Sequence, residues 1–208
     1  MVTIENFVKI TQLVIDHVEG GYYHPSMLKK FNAKSQAILK DSGETMFGID
    51  RKAGIQLSKF TEWEKFWNII DNDRRLNPNL WEYQYRGGRL HGILKTLAAE
   101  IMYKWFTYLS NKYILLGSMD EIAADPRLLA HFSYAAWNGE GWFKRYAKAL
   151  NDAIVKYPYD KEAIFKAAFD ERAKAVKYIK GIKTMIPNIA IRQQAVNMQP
   201  IFEKIKNI

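Results

Sequence analysis

Two short stretches carry residue types able to do acid–base chemistry. An apolar periodic segment ends in Glu19, Gly20, Gly21 and Tyr22, and a turn-forming run, DSGETMFGID, covers residues 41–50; a Trp137-Asn138-Gly139 turn follows much later. Glu19 has the attributes of a general acid. The dipole at a helix C-terminus disfavours a negative charge, and apolar neighbours such as Val18 disfavour it further, so both favour the protonated carboxyl. Gly20 and Gly21 strip side chains from the space in front of it. On spacing alone a solvated carboxylate at a helix end is the commoner outcome, because paired glycines often follow helices.

A carboxylic acid in this setting suits hydrolysis of a glycosidic bond. That reaction needs an acid to protonate the leaving oxygen, and a second carboxylate or a positioned water on the other face of the sugar. Asp41, Glu44 and Asp50 are the candidates for the second carboxylate, and the sequence alone does not rank them. Other chemistries find little support. The four histidines, His17, His24, His91 and His131, lack metal-ligand spacing, and no phosphate-binding or nucleophile-elbow motif occurs. No metal and no cofactor is expected. The chain has no cysteine, which excludes disulfides, thiolate metal sites and cysteine nucleophiles.

The ordered combination resembles the peptidoglycan-cleaving muramidases of glycoside hydrolase family 108 and, more distantly, the phage-type lysozymes. The residues that carry it are Glu19, Gly20, Gly21 and Tyr22, then Asp41, Ser42, Gly43, Thr45, Phe47, Gly48 and Ile49, and last the segment FSYAAWNGEGWFKRYAKALN. The resemblance implies Glu19 as general acid, with Thr45 and Asp41 completing the catalytic set and Thr45 orienting the attacking water. It also implies that Tyr22, Phe47, Asp50, Trp137 and Asn138 line a groove for alternating amino sugars. This chain departs from the family in lacking its proline and paired glycines between aspartate and threonine, so that interval is one residue shorter. That departure motivates an alternative, a lysozyme-like protein that binds the wall without cutting it.

The elements that must position these residues are mostly helices. Apolar residues recur at three- and four-residue spacings from Thr3 to Val18, giving an amphipathic helix that ends at the glycines. Residues 22–40 read as a loop-rich lobe. Gly43 and Gly48 about the β-formers Thr45 and Phe47 predict a tight turn with a short strand or hairpin. Thr61 with Glu64 and Ser118 with Glu121 read as capping boxes, and Asp125-Pro126 reads as a helix start. The stripe from Leu90 to Ser110 predicts a central, heavily buried helix. Further helices are expected before Pro158, from Asp160 towards Gly181, and from 188 to 206.

The expected fold is therefore mainly α (α+β), a lysozyme-like helical domain with a small β-hairpin near the active site. One domain over 1–208 is expected, the helices from about 160 forming an appended subregion. A net charge of +9 favours a polyanionic partner. Peptidoglycan glycan strands are the partner expected; nucleic-acid binding rests on charge alone and is not expected. No stretch approaches the length of a membrane span, and the N-terminal segment lacks the features of a signal peptide. Such a hydrolase would be made in the bacterial cytoplasm and reach the wall after release, or travel in a virion.

Overall fold

Thr3 accepts a hydrogen bond from the Asn6 amide at 3.3 Å and so caps the first helix, α1 (Ile4–Val14), whose apolar face buries Phe7, Ile10 and Val14. The computed structural model describes residues 2–19, 22–23, 43–52, 56–78, 88–174 and 186–205; for 18, 19, 22, 23, 173, 174 and 186–195 it describes the backbone alone. The helices that follow are α2 (Thr61–Leu76), α3 (Arg89–Tyr113), α4 (Leu116–Ala124), α5 (Pro126–Trp137), α6 (Glu140–Lys156), α7 (Lys161–Lys174) and α8 (Ile186–Ile205). One three-stranded antiparallel sheet, in the order β1 (Tyr22–Tyr23), β2 (Thr45–Met46) and β3 (Ile49–Asp50), completes the regular structure. The protein is thus mainly helical with one small antiparallel sheet.

The chain divides into two compact units, Met1–Val18 with Trp105–Ile208, and Glu19–Lys104. The helices beyond residue 160 fall in the first unit together with α1 and α4 to α6.

In the first unit the enclosed helix is α5. Every residue from Leu128 to Ala136 is buried, so this helix is covered on all sides rather than along one stripe. The stripe of α3 read from the sequence is heavily buried as well: Leu94, Ile101, Met102, Trp105, Phe106 and Leu109 all lie in the core, while Ile93 is exposed. On α5 the small residues Ala130, Ser133, Ala135 and Ala136 let neighbouring helices approach closely. Around it Phe106 stacks near Phe7 at 5.0 Å and near Phe143 at 6.1 Å, and Phe132 meets Phe143 at 5.5 Å. Asp125 caps α5 by accepting from the Arg127 amide at 2.8 Å, with Pro126 at the first helical position, as the sequence indicates.

The two proposed capping boxes do not form. Phe60 occupies the N-cap of α2, and Thr61 already lies inside the helix, its hydroxyl directed to Glu62. Leu115 is the N-cap of α4, and Ser118 sits within the helix, donating to Asn151 Oδ1 at 2.7 Å. In both places a tertiary partner or a one-residue shift of the helix start outweighs the local signal. Asp160, in contrast, accepts from the Ala163 amide at 3.0 Å and opens α7 as read.

Candidate functional site

The first helix does not run as a uniform α-helix to Val18. It is α-helical to Val14 and then widens into a π-helical turn, Ile15–Glu19, with Glu19 its last residue. A π-turn gives up tight i to i+4 bonding, and such turns are frequent at functional sites. Three residues further on, β1 joins the sheet: Tyr22 pairs with Met46 and Tyr23 with Thr45. The sheet therefore binds the backbone that follows Glu19 to the hairpin that carries Thr45 and Asp50.

The hairpin is built by a two-residue loop. Met46 pairs with Ile49, and the loop residues Phe47 and Gly48 both hold positive φ, 51° and 70°. This is the turn whose twist suits a tight hairpin; glycine fits it freely, whereas a bulky residue is strained there by about 1–2 kcal/mol. Burial offsets the strain at Phe47. Its ring is only 1% exposed and meets the His91 ring edge to face at 4.9 Å. Phe47 is thus part of the core and of the turn, which corrects its expected place in a strand and on a groove surface.

One pair out from the loop, Thr45 and Asp50 stand opposite each other, and the Thr45 hydroxyl donates to Asp50 Oδ1 at 2.5 Å. Both are half-buried. The Trp63 indole N–H donates to the Asp50 carbonyl oxygen at 3.4 Å and anchors this end of β3 to α2.

Glu44 has a different place. It is 7% exposed, paired with Arg51 Nε at 2.9 Å and hydrogen-bonded by Arg74 Nη2. Arg51 also grips Asp71 through two nitrogens at 3.0 and 2.6 Å, and its guanidinium lies 4.4 Å from the centre of the Trp67 ring. Glu44 thereby ties the base of the hairpin to α2 and is withdrawn from the candidates for a second catalytic carboxylate. Sequence reasoning missed Arg51, Asp71 and Arg74. The available signal was Asp71 and Arg74 three apart on one helical face, beside an arginine that directly follows the hairpin.

Trp137 and Asn138 belong to the other unit. Asn138 closes α5 and Gly139, at φ 86°, opens α6, so the expected turn is present. The Asn138 side chain accepts from Arg172 Nη1 at 2.7 Å. Arg172 is fully buried, donates to His131 Nδ1 at 3.3 Å and to the His131 carbonyl at 3.2 Å, and lies 4.8 Å from the ring centres of Tyr134 and Tyr146. Burial holds His131 well below its ordinary value, and the Arg172 charge adds to this. The arginine continues the apolar row of Ile164 and Ala168 at four-residue spacing, a pattern that marks it as inward-facing.

Asp41 and the side chains of Glu19 and Tyr22 lie outside the described residues, as do the lobe at 24–40 and the connection at 79–87. Among the described residues, no three histidine or acidic side chains converge as a metal site requires. No helix among them is long and apolar enough to cross a membrane.

Fold and geometry define a class: a mainly helical protein in which a small antiparallel sheet joins a helix-terminal glutamate segment to a threonine–carboxylate pair. Comparison with protein-family models, curated proteins and solved structures gave no significant match.

Proposed function

We propose that the protein is a glycoside hydrolase that cuts the glycan of peptidoglycan between N-acetylmuramic acid and N-acetylglucosamine, with Glu19 as general acid. The observation that carries this reading is the pairing of Tyr23 with Thr45, which links the segment directly after Glu19 to the strand whose hydroxyl is bonded to Asp50. An acid and a polar pair able to hold water are the two halves that glycosidic cleavage needs. The π-turn ending at Glu19 supports the reading, because such turns are frequent at functional sites. The positive charge of the chain, +9, favours adsorption to an anionic wall.

Digestion of purified peptidoglycan followed by mass spectrometry tests the proposal. The expected result is soluble muropeptides with hydrolysed N-acetylmuramic acid at the reducing end, absent with Glu19→Gln at an unchanged circular-dichroism spectrum. Anhydro ends, lighter by one water, would replace hydrolysis by transglycosylation. Wall binding without any released muropeptide from the wild type would reduce the protein to a non-catalytic wall binder.

A further inference from the structure

The hairpin fixes what the Thr45 hydroxyl can do. A two-residue loop with Met46 opposite Ile49 makes Thr45 and Asp50 the next opposed pair, and opposed residues of an antiparallel ladder project from the same face. Across the pair the Thr45 hydroxyl donates to Asp50 Oδ1. A hydroxyl has one proton and two lone pairs. With its proton committed to Asp50, Thr45 meets any further group at this oxygen as an acceptor. It is therefore set to take a hydrogen bond from water.

Asp50 is held in place from both sides. Its carbonyl accepts from Trp63, and the next residue, Arg51, is locked by Glu44, Asp71 and the face of Trp67. Glu44, only 7% exposed, is engaged by two guanidinium groups, whereas Asp50 and Thr45 are half-buried and bonded to each other. Of these two carboxylates, the one on the hairpin face with Thr45 is Asp50.

We infer that Asp50 is the positioning carboxylate of the site, acting through Thr45 to hold and deprotonate the attacking water. The inference rests on the glycosidase reading, with Glu19 as acid. In the step it implies, the water oxygen bonds to the anomeric carbon as the bond from that carbon to the leaving oxygen breaks. Glu19 gives its proton to the leaving oxygen. One water proton passes to Thr45 Oγ1 while the Thr45 proton passes to Asp50. Glu19 ends as the carboxylate and Asp50 as the acid, and proton exchange with solvent restores both.

The test is a double-mutant cycle on the full-length protein with a soluble peptidoglycan oligosaccharide, measuring kcat, KM and the pH dependence of kcat. Asp50→Asn is expected to lower kcat about 100-fold or more with KM little changed, and to remove the rise in rate on the acid side of the profile. Thr45→Val should fall similarly, Thr45→Ser should keep most of the rate, and the double variant should fall no further than either single one, because the two residues act as a unit. Thermal melting of each variant separates loss of fold from loss of chemistry; should Asp50→Asn fail to fold, the comparison of Thr45→Val with Thr45→Ser carries the test. Wild-type rate and an intact acid limb in Asp50→Asn, or losses that multiply in the double variant, would overturn the inference. A wild type that releases no product overturns the glycosidase reading instead. Loss on Asp41→Asn with full rate in Asp50→Asn assigns the role to Asp41 and refutes the assignment to Asp50.

Discussion

Phe47 presents its ring edge to face against His91 at 4.9 Å and 81° while its backbone holds φ 51°, so one residue combines a core contact with a strained turn. Removing the ring and relieving the strain are separable. Phe47→Ala loses the buried ring and keeps a β-carbon at positive φ, for a loss of about 3–5 kcal/mol. Phe47→Gly loses the same ring but fits the turn, and should be more stable than the alanine variant by about 1 kcal/mol. Urea denaturation of the pair checks this order. Alanine at least as stable as glycine would show that the turn bears no strain.

Glu44 anchors the hairpin to α2. Glu44→Gln takes from Arg51 and Arg74 the buried one of the two carboxylates they share, Asp71 being the other, and breaking a buried pair costs about 3–5 kcal/mol. The arginine side chains remain 32% and 25% exposed, which places the loss at the lower end. Below the lowered melting temperature, the rate per folded molecule should stay near that of the wild type. A complete loss of wall cleavage at intact fold would return Glu44 to the chemistry.

Arg172 holds the Asn138 turn by hydrogen bonds in fixed directions, to Asn138 Oδ1, His131 Nδ1 and the His131 carbonyl. Arg172→Met fills much of the volume but removes these hydrogen bonds and leaves the buried His131 Nδ1 without its donor, for about 3 kcal/mol. Arg172→Lys should recover little of it, since an ammonium cannot reproduce the planar fork. Each variant should lower the melting temperature by roughly 6–12 °C, measured by calorimetry. Full rescue by lysine would mean that charge alone matters there.

His131 makes stability fall on acidification. Its folded pKa is held well below the ordinary 6.5, by burial first and by the Arg172 charge second. Above about pH 6.5 both folded and unfolded chains are neutral at this residue. Below it the unfolded chain takes up a proton that the folded protein refuses, so stability drops by up to about 1.4 kcal/mol per pH unit as pH falls. The loss grows as pH falls below about 6.5, and His131→Gln should flatten that part of the curve. Denaturant midpoints measured across this range decide it; equal slopes in wild type and variant would exclude His131 as the source.

Much of the frame was legible in the residue order. The alternation of apolar positions from Thr3, the Asp125-Pro126 start, the Asn138-Gly139 turn and the hairpin at 45–50 all follow from local stereochemistry, which a short stretch of sequence contains. Glycine or proline at a fixed place constrains the backbone there, whatever surrounds it. Thr45 is a site candidate in the sequence through the family resemblance and Asp50 as one of three carboxylates near it, whereas their opposition across a two-residue turn is a finding of the structure.

Tertiary structure decided which of several equal-looking residues were already engaged. Glu44 and Asp50 flank the same turn, yet one is enclosed by two arginines, one of them thirty positions away, and the other is bonded to a threonine across the ladder. Phe47 reads as a strand residue with a ring free for substrate, but long-range packing on His91 draws it inward and sustains a backbone angle that its own side chain disfavours. Arg172 stands in the inward row of Ile164 and Ala168, but the partners that let a charge be buried there come from α5 and α6 and are visible only in the fold. Local sequence fixes torsion preferences, whereas burial and pairing depend on which distant groups arrive at the same place, and that depends on the whole fold.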